Sequence, residues 1–436
     1  MQSNKVITGA TTAMDQSSWL EDLAWIYKLP CAFVFGCLLG FSSAGFDVWW
    51  LAWLGLAPLL VLLRGSKSLI EAAFMGLAFG VGYHGVSLSW YFGLAPLGWL
   101  QIPEFIGNIT AVVIWALEVL HQTVLYVVFA AMVYSLPTRS GSLPNIERPF
   151  FPYLISIPLI WVFLQWVVAP SELFIGLPIN QLVYSQYKQL PLVQLVSQVG
   201  SGSLEFLIVV FNCAVANAIL EVFSLAKKLG ERTDKLKPIF GALFDLGLVY
   251  LILIGISNWG TGRIDHLNTI SEGATAYHRD YNTPPVPVAV LQGNVGIAEE
   301  RLKITKPEEI KERYDNLGNN VGALILFLPE AVINSNQMAK GGLLEALTKI
   351  VSEQNKEIIT GTIETVKGGH ANAARLISPK PSEEANVYLK TRLVPLGESA
   401  PIDVLNEKIP APVRERIPAT RENFMKASSQ NLLKSI

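Results

Sequence analysis

The chain has 436 residues, of which 51% are hydrophobic and only 16% charged, and its mean hydropathy of +0.39 is too high for a soluble protein of this length and indicates a membrane protein. A formal net charge of -2 supplies no basic patch for a phosphate backbone, so nucleic acid is not an expected partner. The three cysteines, Cys31, Cys37 and Cys213, lie in apolar segments without metal-ligand spacing, which argues against a disulfide framework or a structural zinc; neither a metal nor a cofactor is expected.

Long uncharged stretches fill the region before Arg263, whereas charged residues are frequent after it. The two parts therefore meet different solvents. A bilayer core takes about 20 mainly apolar residues per helix, and about seven segments qualify: Leu29 to Phe46, Val48 to Leu63, Leu69 to Phe92, Phe105 to Leu136, Phe150 to Ala169, Val199 to Phe223 and Pro238 to Trp259. The first also resembles a signal-peptide core followed by the small residues Ser42, Ser43 and Ala44. Its long polar leader, residues 1–28, and the span that begins directly after it favour an uncleaved helix.

Loop charge sets the expected orientation, because Lys and Arg accumulate in short cytoplasmic loops. Arg64 and Lys67 follow the second span, Arg139 and Arg148 the fourth, and Lys227, Lys228, Arg232, Lys235 and Lys237 the sixth. The alternate connections hold only Lys188. An amino terminus inside and a polar domain outside follow, and in a bacterium that outside is the periplasm or the cell exterior. Within the spans, Glu118 and His121 are three apart on one helix face and read as a mutually satisfied pair, with a proton relay as the alternative. Glu205 and Asp245 sit near span ends and are expected to reach the interface. Gly36 with Gly40, and Gly76 with Gly80, have the small-xxx-small spacing that lets helices approach closely.

From Arg263 the chain turns polar and reaches Tyr281-Asn282-Thr283-Pro284-Pro285, so residues 263–286 read as a linker between a membrane domain (29–262) and an outer domain (287–436). Val288 to Gln292 and Ala323 to Leu328 are apolar runs of strand length, and Lys356 to Ile363 and Asn372 to Ser378 supply further strands. Lys306 to Leu317 is charged and helix-permissive. Leu343 to Gln354 carries Leu344, Leu347, Ile350 and Val351 on one helical face. Strands alternating with helices predict an α/β layer fold.

Chemistry tends to sit at the ends of such strands. Leu328-Pro329-Glu330 closes one of them, and a carboxylate buried there could act as a general base with a raised pKa. About sixty residues later comes Tyr388-Leu389-Lys390-Thr391-Arg392-Leu393-Val394-Pro395-Leu396-Gly397-Glu398. Singly, each of these residues has an ordinary structural explanation, as exposed charge or turn.

Order and spacing together resemble the carbon-nitrogen hydrolase (nitrilase) superfamily, whose members use a Glu, a Lys and a Cys in that chain order. A nitrilase-like domain behind about seven spans is similar to one family within it, the apolipoprotein N-acyltransferases. Leu393-Val394-Pro395-Leu396-Gly397-Glu398 resembles that family's Tyr-x-Lys-x-His-Leu-Val-Pro-Phe-Gly-Glu segment, and Leu291-Gln292-Gly293-Asn294 its Val-Gln-Gly-Asn strand end. In the membrane half, Gly176-Leu177-Pro178-Ile179-Asn180-Gln181-Leu182-Val183-Tyr184-Ser185-Gln186 is similar to its Gly-Phe-Pro-Trp-Leu-Gln-Phe-Gly-Tyr-Ser-Gln loop. The resemblance implies an αββα sandwich for the outer domain, Glu330 as general base, Lys390 as oxyanion stabiliser and Glu398 as a supporting carboxylate. It further implies substrate binding at Gly176, Pro178 and Tyr184. Its reaction moves an acyl chain from a phospholipid to the amino-terminal diacylglyceryl-cysteine of a lipoprotein, in the inner membrane of a bacterium.

The sequence departs from the family's pattern at Ile179, at Arg392 and near Arg301, where aromatic or His residues are usual. Its graver departure is the absence of any cysteine after Cys213. Asp403 to Ile436 is polar and punctuated by Pro410, Pro412 and Pro418. The expectation is an acyltransferase cut off before its nucleophile, with a poorly stable outer domain and a separate carboxy-terminal fragment as a further partner. The alternatives are an inactive membrane protein that binds lipid or lipoprotein, one half of a split enzyme, a membrane-tethered amidase, or a transporter.

Overall fold

The structure is a computed structural model that describes residues 24–95, 103–136, 153–171, 181–227, 237–280, 286–295, 306–333, 342–366, 369–379, 386–391 and 393. The chain divides into two compact units, Met1–Ala95 with Asn108–Ile270, and Pro96–Gly107 with Ser271–Ile436.

The first unit is helical, with α1 (Trp25–Gly40), α2 (Ala57–Arg64), α3 (Leu69–Ser87), the greater part of α4 (Glu104–Ser135), α5 (Tyr153–Phe163), α6 (Ser201–Lys227) and the greater part of α7 (Lys237–Asp280). Four stretches are long and apolar enough to cross a bilayer, namely Leu69–Ser87, Glu104–Ser135, Ser201–Phe223 and Ile239–Gly273. They coincide with the third, fourth, sixth and seventh segments expected from hydropathy. The other three form shorter apolar helices, Trp25–Gly40, Leu51–Arg64 and Tyr153–Val168, so length alone supports four of the seven. The first is cut short by a turn in which Gly45 and Asp47 both have positive φ. The fifth carries Pro158 inside α5 and gives way to a wider π turn at Leu164–Val168. Beyond its apolar part, α7 runs on to Asp280 through much of the stretch read as linker, because no proline interrupts it before Pro284.

Both glycine pairs mark close helix crossings, as their spacing predicts. A Cβ on Gly36 would overlap the Phe79 carbonyl, and one on Gly40 would come within 2.6 Å of the Val86 side chain, so α1 lies directly on α3. Gly76 faces the Tyr126 carbonyl and Gly80 the Thr123 side chain, which seats α3 on α4 in the same way. The core around these crossings is aromatic, with Phe79, Tyr83, Tyr126, Phe129 and Trp161 all buried. The Trp161 ring meets those of Tyr126 and Phe129 edge-on, at 5.2 and 5.0 Å between centroids.

Several polar groups in this half are tied to one another, because hydrocarbon offers no substitute partner. Asn212 Oδ1 accepts from the backbone N–H groups of Leu56 (3.0 Å) and Ala57 (2.9 Å), and its amide donates to the Ala52 carbonyl at 2.8 Å. Those contacts satisfy the otherwise orphaned start of α2. The fully buried Lys28 ammonium reaches Glu71 and the Gly65 carbonyl, both at 2.7 Å. Glu118 and His121 pair at 3.5 Å, with Gln122 donating to Glu118 at 2.7 Å. Glu205 departs from expectation: it does not reach the interface but is completely buried. Asp245 is half-buried.

The second unit is an α/β layer. Its five-stranded sheet runs β1 (Val288–Val290), β2 (Ile325–Phe327), β3 (Glu357–Val366), β4 (Gly369–Ile377) and β5 (Val387–Leu389), in that spatial order. The first three are parallel and the last two antiparallel. Helices α8 (Pro307–Asn319) and α9 (Leu343–Gln354) make the crossovers that parallel pairing demands. They cover one face, where Leu326, Ile358 and Ile377 meet Ile310, Tyr314, Leu347, Ile350 and Val351. Val288 and Val290, on the opposite face, are exposed. Among the described residues there is one sheet with helices on one side. β5 is the strand that sequence periodicity does not announce, since three residues are too few to show a period.

Candidate active site

The site lies where β2 ends. Leu328 still pairs as strand, its N–H donating to the Ile359 carbonyl at 2.8 Å, but Pro329 has no N–H to continue the ladder. Pairing resumes at Ile333, whose N–H reaches the Gly361 carbonyl at 3.1 Å. Between them Ala331 takes a φ of +56°, and Pro329 O still accepts from the Gly361 N–H at 3.1 Å. This bulge lies directly against β3 and is possible because the facing residue is Gly361: a Cβ there would stand 2.5 Å from Pro329 O, Glu330 Cα and Ala331 N.

Register then delivers the partners. Ile363 of β3 faces Asn372 of β4, and β4 pairs with β5 so that the Lys390 N–H donates to the Asn372 carbonyl at 2.8 Å. Asn372 and Lys390 are therefore neighbours across two strands. Lys390 Nζ lies 2.8 Å from Glu330 Oε1, and Asn372 Nδ2 donates to the same oxygen at 2.5 Å. Asn372 is buried and Lys390 is 27% exposed, but the Glu330 side chain is 62% exposed. Glu330 is thus not the buried carboxylate the strand end suggested. Its Oε1 is anchored by two donors, and its Oε2 has no hydrogen-bond partner among the described residues. A fixed, solvent-facing carboxylate oxygen beside an ammonium can accept a proton while the cation faces developing negative charge.

Beside this, Arg313 donates to the carbonyls of Gly293 (2.9 Å) and Asn294 (3.3 Å), which pins the Leu291-Gln292-Gly293-Asn294 turn at the end of β1. On the helix-covered face of the sheet, Arg375 holds Glu364 through two bonds of 2.8 Å, with Thr362 donating at 2.7 Å. Burial pushes the Glu364 carboxyl up, but the bonds from Arg375 and Thr362 outweigh it and hold the group below the usual carboxylate range.

Of the residues predicted from sequence, the fold brings Glu330 and Lys390 together across sixty positions. Glu398, Gly176 and Pro178 lie outside the described residues. Tyr184 is in the first unit, in a 3-10 turn at Leu182–Gln186, and is 47% exposed. Asn372 was legible only as part of a strand; what marks it is its place opposite Lys390, and that needs the register of β5.

A family model described as the apolipoprotein N-acyltransferase N-terminal domain matches residues 35–214. This chain is related to the apolipoprotein N-acyltransferases. Among relatives of that name, the one from Geobacter metallireducens is 27% identical over 374 residues, covering 84% of this chain and 63% of its own length. The one from Haemophilus ducreyi is 26% identical over 386 residues, or 86% of this chain and 65% of the relative. The one from Pseudomonas aeruginosa is 26% identical over 404 residues, or 89% and 67%. The likeness to these acyltransferases extends past the membrane helices into the second unit, since a continuous 84% of the chain must include Glu330. The chain spans about two thirds of the length of the relatives it matches along most of its length.

Proposed function

We propose that this chain serves in lipoprotein N-acylation, moving an acyl chain from a membrane phospholipid to the amino group of a diacylglyceryl-modified amino-terminal cysteine. The observation that carries it is the Glu330–Lys390 pair, held at 2.8 Å at the end of a parallel strand, in a chain related to apolipoprotein N-acyltransferases.

In this scheme Glu330 Oε2 takes the proton of a thiol, and the thiolate attacks the ester carbonyl of the phospholipid. The ammonium of Lys390 lies beside the oxyanion that forms. Collapse expels the lysophospholipid alkoxide, which takes the proton back, and leaves a thioester. The lipoprotein amine then attacks that thioester, Glu330 accepts its proton, and the thiol is regenerated as the amide forms. The thiol comes from outside the described residues of the second unit, none of which is a cysteine. A separate carboxy-terminal fragment is one source. Glu398 supports the pair as a second carboxylate, and Gly176, Pro178 and Tyr184 contact lipid.

On this proposal the three shorter apolar helices also cross the bilayer, giving seven spans with the amino terminus inside. Residues 1–28 form a cytoplasmic leader and 29–262 the membrane domain. Residues 287–436 form a nitrilase-like domain outside the inner membrane. Loop charge supports this direction, with Arg64, Lys67, Lys227 and Lys237 on the side opposite Lys188. A second reading is a non-catalytic protein that binds lipid or lipoprotein.

Expression in cells depleted of N-acyltransferase separates the two. Mass spectra of lipoprotein amino termini should show N-acylation when the chain is co-expressed with the cysteine-bearing remainder of a relative. Glu330→Gln should abolish it. No N-acylation in the co-expression arm, with both polypeptides present in the membrane, refutes the catalytic proposal.

A further inference from the structure

The carboxylate of Glu205 is buried at 0% exposure in α6, in a stretch of membrane-spanning hydropathy. A charged group there is costly, and such residues earn their place through specific partners. Its partners are all donors, drawn from two separate segments. Trp161 Nε1 donates to Oε1 at 2.8 Å and Trp166 Nε1 to Oε2 at 3.2 Å, both from α5 and its π extension. The backbone N–H of Leu182 donates to Oε1 at 3.2 Å.

That amide opens the 3-10 turn that carries Tyr184. The rest of the turn is fixed by neutral contacts. Gln181 donates to the Gln165 carbonyl at 2.7 Å. Gln186 accepts from Trp53 Nε1 at 3.0 Å and donates to the Trp49 carbonyl at 3.1 Å. Tyr184 is the member of this turn whose side chain faces outward, while Leu182, Val183, Ser185 and Gln186 are buried. A carboxylate accepts from these three donors without conflict, whereas an amide would turn an N–H2 toward at least one of them.

We infer that Glu205 is a positioning residue whose carboxylate locks the Leu182–Gln186 turn onto α5, so that the Tyr184 ring is presented to the acyl chain of a phospholipid. This rests on the proposed function for the lipid role of Tyr184; the lock itself does not.

The test uses the full chain in nanodiscs of phosphatidylethanolamine and phosphatidylglycerol. Hydrogen exchange reads the lock, and a phosphatidylethanolamine with a diazirine-bearing acyl chain reads the lipid contact through labelling of the Tyr184 peptide. Glu205→Gln should raise exchange of the 182–186 amides by about tenfold while the α3 and α4 amides keep their protection. It should also lower labelling of the Tyr184 peptide without lowering labelling elsewhere in the spans. Asn212→Ala is the control, since it removes a buried polar anchor that does not touch the turn. It should lower thermal stability and leave both readouts at the turn unchanged.

Unchanged exchange at 182–186 in Glu205→Gln overturns the inference. So does an equal loss in Asn212→Ala, which would make Glu205 one structural anchor among others. Faster exchange with no labelling of the Tyr184 peptide in the unsubstituted chain upholds the lock and refutes the lipid role on which the rest depends.

Discussion

Gly361 and Glu330 are in direct backbone contact: a Cβ on Gly361 would stand 2.5 Å from Glu330 Cα. The missing side chain on one strand is what admits the bulge that carries the carboxylate on the next. Gly361→Ala must push this bulge away from β3, since the atoms it meets are backbone and cannot rotate aside. The expected cost is about 1–3 kcal/mol of stability in the second unit. Structure determination of the variant should show Glu330 detached from Lys390, and N-acylation in the co-expression assay should fall with it.

The buried Asn372 donates to Glu330 Oε1. Asn372→Ala removes one neutral donor and leaves Lys390 in place, so it should weaken catalysis without abolishing it. A loss of about 1 kcal/mol in orientation corresponds to roughly a fivefold drop in rate. Asn372→Asp sets a second negative charge against Glu330 and should cost more than Asn372→Ala. Equal rates for the two variants would contradict the geometry.

Glu364 gives the second unit an acid-sensitive contact. Its carboxyl is held below the usual range in the folded protein, so its stabilising contribution is complete above the unfolded value of about 4.3 and is lost as pH falls through the folded value. Melting followed between about pH 7 and pH 3 should therefore show a fall at the acid end that Glu364→Gln reduces. Arg375→Ala should destabilise at neutral pH and lose the same acid dependence, because it removes the partner that lowers the group.

In the membrane half, Asn212 satisfies two backbone N–H groups at the start of α2. Asn212→Ala leaves both without this acceptor inside an apolar core. A loss of about 1–3 kcal/mol is expected, read as a lower melting temperature in detergent. A smaller change from Glu118→Gln would fit, since that half-buried group can keep its contact with Gln122.

Gly36 and Gly76 carry the two helix crossings on either side of α3. Gly36→Val and Gly76→Val each drive a branched side chain into a neighbouring backbone, Phe79 in one case and Tyr126 in the other. Each should destabilise by about 1–3 kcal/mol, measured the same way, and a substitution at the open Gly241 should not.

The sequence by itself determined which solvent each part meets, the small-residue seams of the helices and the order of the α/β elements up to β4. Those are local properties: hydropathy, a glycine every fourth residue, and the apolar face of Leu344, Leu347, Ile350 and Val351 can each be read within one segment. It also singled out Glu330 and Lys390, through their order and their resemblance to a family pattern. What it left open is decided by contacts between distant strands. Glu330 meets Lys390 because β5 pairs with β4 in one register, and Asn372 joins them for the same reason. A shift of one residue would turn Asn372 to the other face. Glu205 makes the same point in the membrane half. A glutamate near the end of an apolar run reads alike whether its chain extends to the interface or turns inward, and only the packing of Trp161, Trp166 and the Leu182 turn around it puts its carboxylate in the core.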